Sequence, residues 1–262
     1  MTERAIRFDD GEGYEQMMGK WSQMVGSIFL DWLAPAPGLR WVDVGCGNGA
    51  FTDTIAQRCS PEAIDGIDTS EGQLAYARTR PGARLATFRQ GDAMALPYPD
   101  QSFDIAVMAL VMFFVPDPDR GASEMVRVVK PGGTVCAYVW DILNGGFPLD
   151  VLQEAMRDVG MKPLLPPSAR ISPMEPLRTL WSDAGLEAIE TREIIVQRTF
   201  SGFDEFWRTS QLGSGIGPRI AAMPDDRREA LKARLRERLP FDANGRITIV
   251  ARANAVSGKV PA

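Results

Sequence analysis

The sequence predicts an α/β fold: a doubly wound, mostly parallel sheet with helices on both faces. Three observations carry that expectation. Between residues 41 and 140, five short apolar runs alternate with helical or loop segments, the pattern of strands joined by crossovers. The run 103–110 is almost wholly apolar, as a strand covered on both faces must be. The stretch 41–52, WVDVGCGNGAFT, reads as a strand, a tight turn through Gly45, Gly47 and Gly49, and the start of a helix. Glycines without a Cβ tolerate positive φ there and let backbone N–H groups approach a ligand.

The elements follow in order. Residues 1–13 are polar and open no regular element. Residues 14–33 place Met17, Met18, Trp21, Met24, Val25, Ile28, Phe29 and Trp32 at helical spacing, a face for core packing; Pro35, Pro37 and Gly38 end that helix. After the glycine turn comes a first crossover helix, 51–59. A second strand, 63–67, ends at Asp68, and Ser70 is placed to cap a helix over 71–80. A third strand, 85–89, runs into Gly91-Asp92-Ala93 and a loop reaching residue 102. Pro116-Asp117-Pro118-Asp119 opens a helix over 120–129, and Pro131-Gly132-Gly133 turns it into a fifth strand, 134–140.

Beyond residue 141 the pattern loosens. Helices are expected at 149–159 and 177–184 around the proline-rich stretch 163–176, with a strand at 187–198. An aromatic cluster (Phe200, Phe203, Phe206, Trp207), a glycine-rich loop at 213–217 and a solvated, charge-dense helix at 225–239 follow. Asn244-Gly245 is a turn before a last strand, 247–255. The late strands extend the sheet, with an antiparallel partner at the end. The chain thereby divides into a helical cap (1–38), a ligand-binding core (39–142), and a lid or insertion with the completing strands (143–262).

Composition narrows the function. The 262 residues, 45% hydrophobic and 24% charged, suit a soluble globular chain. A net charge of -5 runs against a nucleic-acid or anionic-membrane partner, which needs clustered cations. The absence of an apolar run of bilayer length and of a targeting pattern points to the cytoplasm, and the odd set Cys46, Cys59 and Cys136 to reduced thiols. The chain contains no histidine. That removes His-based zinc sites, Ser-His-Asp triads and imidazole bases together, so any chemistry leans on a cofactor that brings its own reactive group.

Three acids give the ligand its shape. Asp43 ends the first strand, Asp68 the second, and Asp92 follows the third. An acid after strand two suits a ribose diol, since a carboxylate accepts two hydrogen bonds. Asp92, beside Ala93 and Met94, suits an exocyclic amine over an apolar seat for a purine. Asp43 at the glycine turn repels a pyrophosphate and suits an ammonium. A nucleoside carrying an amino acid fits better than a dinucleotide. Singly, each acid serves equally well as a helix or turn cap.

In the stretches VDVGCGNGAFT (42–52), GIDTS (66–70), GDAMALPYPDQSFD (91–104) and EMVRVVKPGG (124–133) the chain resembles the class I S-adenosylmethionine-dependent methyltransferases, in particular the small-molecule subgroup of type 11 and ubiquinone/menaquinone-like enzymes. The resemblance implies a Rossmann-like, seven-stranded sheet with the last strand antiparallel. It implies S-adenosyl-L-methionine as cofactor, S-adenosyl-L-homocysteine as product and a small-molecule acceptor, with no metal. Gly45, Gly47 and Gly49 then line the methionine portion, Asp68 holds the ribose hydroxyls, Asp92 and Ala93 meet the adenine, and Leu110 sits near the sulfonium; Asp43, Cys46 and Thr69 count with them as cofactor-binding residues. Tyr14 and the run Lys20-Trp21-Ser22 resemble a cofactor-capping helix of related bacterial enzymes; packing is the other reading for each. Many relatives carry His or Asn after strand four, where this chain has Val111-Met112-Phe113-Phe114. Phe113 and Phe114 either wall an apolar acceptor pocket or belong to the core. Tyr14, Asp117 and Asp141 are weak candidates for a base, and no catalytic residue is assigned. Two alternatives stay open. A nicotinamide-dependent oxidoreductase shares the glycine loop and second acid, although the spacing here is GxGxG rather than GxGxxG. A non-catalytic cofactor-binding protein would keep the same fold.

Overall fold

A computed structural model of the chain describes residues 15–162, 165–212 and 215–262. Seven strands, β1 (Arg40–Val44), β2 (Ala63–Asp68), β3 (Ala86–Gln90), β4 (Phe103–Ala109), β5 (Val129–Trp140), β6 (Glu187–Phe200) and β7 (Ile247–Lys259), form one sheet in the order β3-β2-β1-β4-β5-β7-β6. β1 to β5 pair in parallel, and β7 runs antiparallel to both β5 and β6. The expected α/β class, strand number and antiparallel last strand are all present.

The order reverses between β1 and β4. Right-handed crossovers then carry α2 (Ala50–Arg58) and α3 (Glu71–Ala77) over one face and α4 (Pro118–Val128) over the other. Covered on both sides, β1 and β4 bury Trp41, Val42, Val44, Ile105, Ala106, Val107 and Met108, which explains their mostly apolar sequence. The N-terminal helix α1 (Lys20–Leu33), preceded by a π-helical turn at Glu15–Gly19, packs against α2 and β6. Phe29 meets Tyr138 of β5 at a ring distance of 4.8 Å, and Phe51 of α2 meets the same tyrosine at 5.5 Å. Ser70 caps α3, its side chain accepting from Gln73 N.

Some boundaries differ from expectation for local reasons. α4 starts two residues early because Asp117 caps it, accepting from Arg120 N at 3.0 Å, and Pro118 takes the first helical position, where its missing N–H costs nothing. The chain is extended from Val129 rather than from 134. Pro131-Gly132-Gly133 is a bulge inside β5, between the pairs Phe103–Val129 and Ile105–Thr134, and Gly132 N–H donates to Val260 O. β6 and β7 outrun their sequence patterns, since each keeps a partner to the end.

The second half adds α5 (Asp150–Asp158), α6 (Met174–Asp183), α7 (Phe203–Ser210), α8 (Gly217–Ala221) and α9 (Asp225–Arg238). α9 buries Leu231 and Leu235 and tethers to α5 through Arg238, paired with Asp158 at 2.7 Å; the rest of it is a charged surface helix, as its sequence indicates. Among the described residues no helix is long and apolar enough to cross a membrane.

Candidate functional site

The strand order places the C-terminal ends of β1 and β4 side by side, the position at which open α/β sheets bind ligands. The glycine turn begins there. Gly45 and Cys46 both donate their N–H to Ile67 O, at 2.7 and 3.0 Å, which folds the turn back onto β2. Gly45, Gly47 and Gly49 have φ of 76°, 51° and 75°. Their requirements differ. A Cβ on Gly45 would stand 2.4 Å from Val111 Cγ1, and one on Gly49 2.8 Å from Ala77 Cβ. A Cβ on Gly47 would meet nothing within 4 Å. Two of the glycines are therefore dictated by packing, and the third faces open space.

Asp68 borders that space. Gly47 N–H donates to its Oδ2 at 2.9 Å and Ser70 N–H to its Oδ1 at 2.8 Å. Each carboxylate oxygen keeps a lone pair for a further donor. Burial raises the pKa of this acid, against the pull of the backbone donors. Thr69 is exposed beside it, its carbonyl taken by Gln90 Nε2. Gly91 N–H donates to Asp68 O and brings the loop after β3 alongside. There Asp92 is exposed, with Oδ1 accepting from Met94 N at 2.9 Å, while Ala93 and Met94 are half-buried.

Asp43 is fully buried behind the turn. Thr52 Oγ1 donates to its Oδ2 at 2.6 Å, and Oδ1 has no partner. Burial, opposed by the Thr52 hydrogen bond and reinforced by the charge of Asp68, pushes this carboxyl from 3.8 up to about 7. Cys46 is buried as well, and burial first, then the charges of Asp43 and Asp68, hold it as the thiol. Leu110, at the end of β4, is buried with φ of 61° and donates its N–H to Tyr138 O. A leucine in the left-handed region is a strained residue, and such strain gathers at functional sites.

The other expected positions divide. Trp21 is 1% exposed and packs edge-on against Trp140 at 6.5 Å, so its indole belongs to the core. Tyr14 lies outside the described residues. Phe113 is buried and its carbonyl accepts from Ser168 N; Phe114 is half-buried against it. Asp117 is the cap of α4, and Asp141 is buried in a pair with Arg252 at 2.9 Å, which occupies both as structural acids.

Two sets of residues escaped the sequence reading. Glu15 reaches from the π-helical turn to the glycine turn: its Oε2 accepts from Asn48 Nδ2 at 3.0 Å and Arg80 Nη2 at 2.6 Å, and Arg80 Nε donates to Asn48 O. No local pattern joins positions so far apart. On α4, Glu124 accepts from Leu96 N at 2.7 Å, and Arg127 donates to Leu96 O and Tyr98 O. The Glu-x-x-Arg spacing in 124–127 was the available signal, a pair on one helix face.

Comparison with known proteins bears on the fold and family. Residues 42–137 match the family described as a methyltransferase domain. The chain is 42% identical over 98 residues to 2-methyl-6-phytyl-1,4-hydroquinone methyltransferase 2, chloroplastic, of Oryza sativa subsp. japonica, covering 37% of this chain and 28% of that protein. It is 39% identical over 104 residues to demethylmenaquinone methyltransferase of Desulfitobacterium hafniense (38% and 41%). The chain thus matches well under half the length of these curated relatives. In fold it is similar to phosphoethanolamine N-methyltransferase 2 of Haemonchus contortus, solved with S-adenosyl-L-methionine, with a TM-score of 0.60 at 19% identity over 95% of this chain and 56% of that one. It is equally similar to the YcgJ protein of Bacillus subtilis, with a TM-score of 0.60 at 17% identity over 93% and 99%. In its four motifs, its sheet order and the match of residues 42–137 to a methyltransferase domain, the chain is similar to the class I S-adenosylmethionine-dependent methyltransferases.

Proposed function

We propose that the protein transfers the methyl group of S-adenosyl-L-methionine to a small-molecule acceptor, with no metal ion, in the cytoplasm and without a nucleic-acid partner. The observation that carries the reading is the open side of Gly47 beside a carboxylate, Asp68, which Gly47's own N–H orients. Asp68 accepts from the ribose hydroxyls with Thr69 next to it. Asp92 accepts from the adenine amine, and Ala93 gives the ring an apolar seat. Gly45, Cys46 and Gly47 supply backbone to the amino-acid end. Asp43 acts from behind the turn, where it has one orphaned oxygen and where a nearby ammonium would favour its charged form against the burial that raises its pKa. Of the three proposed units, 1–38 (described from residue 15) is the helical cap, 39–142 the cofactor-binding core, and 143–262, in its described residues, the acceptor-side lid with the strands that complete the sheet.

When bound, the cofactor supplies a methyl group already activated on a sulfonium. The work left to this chain is alignment and exclusion of water. Leu110, Val111 and Phe114 at the end of β4 offer apolar surface for that purpose. Relatives named for a hydroquinone and a menaquinone make a short-chain quinol the first acceptor to assay.

Calorimetric titration with S-adenosyl-L-homocysteine and with NADH tests the cofactor. Binding of the former and not the latter is expected, and the reverse result ends the proposal. Asp68→Ala is expected to weaken S-adenosyl-L-homocysteine by about a hundredfold, as the loss of two charge-assisted hydrogen bonds implies. Transfer of a tritiated methyl group to a pool of small molecules separates an enzyme from a binding protein of the same fold.

A further inference from the structure

We propose that Arg120, Glu124 and Arg127 of α4 are positioning residues that set the loop after β3 and through it the selectivity for adenine; the inference rests on the cofactor reading above. The three side chains lie at i, i+4 and i+7, on one face of the helix. Each grips the backbone of the loop. Arg120 Nε donates to Met94 O at 3.0 Å, Glu124 Oε2 accepts from Leu96 N at 2.7 Å, and Arg127 donates to Leu96 O at 3.0 Å and Tyr98 O at 2.8 Å. Arg127 also pairs with Asp100 at 2.8 Å and forms a two-point fork with Glu124, at 2.9 and 2.8 Å. Alternate residues 94, 96 and 98 are therefore hydrogen-bonded by a helix's side chains in place of a neighbouring strand. A loop without such partners would leave those groups to water or to disorder.

The ladder ends next to the acid assigned to the purine amine. Met94 N–H donates to Asp92 Oδ1, while Met94 O accepts from Arg120. One peptide unit at each side of Met94 thus links Arg120 to the Asp92 carboxylate. Glu124 is 9% exposed, so its bond to Leu96 is shielded and fixes the middle of the loop. Arg120 is exposed and can be changed without opening the core.

The test uses the full chain and two ligands, S-adenosyl-L-homocysteine and its inosine counterpart, in which a carbonyl replaces the adenine amine. Wild type is expected to prefer the adenine ligand. Arg120→Ala is expected to lower that affinity by about tenfold, to leave the inosine ligand nearly unchanged and so to collapse the ratio. Arg120→Lys keeps a donor and is expected to restore most of the ratio. An unchanged ratio in Arg120→Ala, or a lysine variant that regains the melting temperature without the ratio, overturns the positioning role. Failure of wild type to bind S-adenosyl-L-homocysteine overturns the cofactor reading instead, which keeps the two distinguishable.

Discussion

The two loops that border the cleft are shaped by opposite means. The turn after β1 is fixed mainly by backbone: three positive-φ glycines and the pair of N–H groups that converge on Ile67 O determine its path, and Glu15 and Arg80 brace it at Asn48. The loop after β3 is fixed from outside, by α4 side chains that reach its backbone at residues 94, 96 and 98. A turn built by its own backbone conformation tolerates no substitution where packing is closed. A loop held by side chains can be retuned from the surface. That contrast locates where this chain can vary without losing its ligand.

The sharpest way to break it is Gly45→Ala, which combines φ of 76° with a Cβ 2.4 Å from Val111 Cγ1. Destabilisation of about 3 kcal/mol or more is expected in urea unfolding. A loss below about 1 kcal/mol would mean that the turn is softer than its geometry indicates.

Asp43 comes next. Its pKa is raised from 3.8 to about 7, so the folded chain holds a proton that the unfolded chain has released across that window. Stability is then greatest below the window and falls as pH rises from roughly 4 through 7. Asp65, Asp68 and Asp150, also raised by burial, contribute with the same sign, Asp150 up to about 6. Asp43→Asn is expected to add on the order of 2 kcal/mol at pH 8 and little at pH 4. An equal gain at both pH values contradicts the assignment.

Gly47→Ala separates ligand from fold. The left-handed residue costs about 1 kcal/mol in stability, with no clash to add. Binding of S-adenosyl-L-homocysteine is nonetheless expected to fall by tenfold or more, because the methyl enters the proposed ligand space. Intact binding removes Gly47 from the site. The smallest effect is expected from Glu15→Gln, which keeps an oxygen for Asn48 but loses the charge opposite Arg80, a pair with side chains 13% and 24% exposed. A change of about 1 kcal/mol or less in stability is expected, with faster proteolysis of the N-terminal segment as the check on its tether.

Legibility followed the range of the forces involved. β1 and β4 were readable because burial on both faces demands a mostly apolar run, and Ser70 was readable because an N-cap acts over three residues. The start of α4 and the bulge in β5 shifted because Asp117 and the contact of Gly132 with Val260 outweigh local pattern. Trp21 was ambiguous by sequence: a tryptophan at helical spacing suits a core or a ligand equally, and only its partner Trp140 decides.

The sequence by itself determined the fold class, the order of acids at the strand ends and the need for an external reactive group, since apolar periodicity, glycine spacing and the lack of histidine are local or compositional facts. Only the tertiary structure decided which glycine faces open space, that Asp43 stands behind the turn rather than in the cleft, and which distant side chains hold the two loops. Those are contacts between residues tens of positions apart, and their geometry exists only once the sheet has brought the strand ends together.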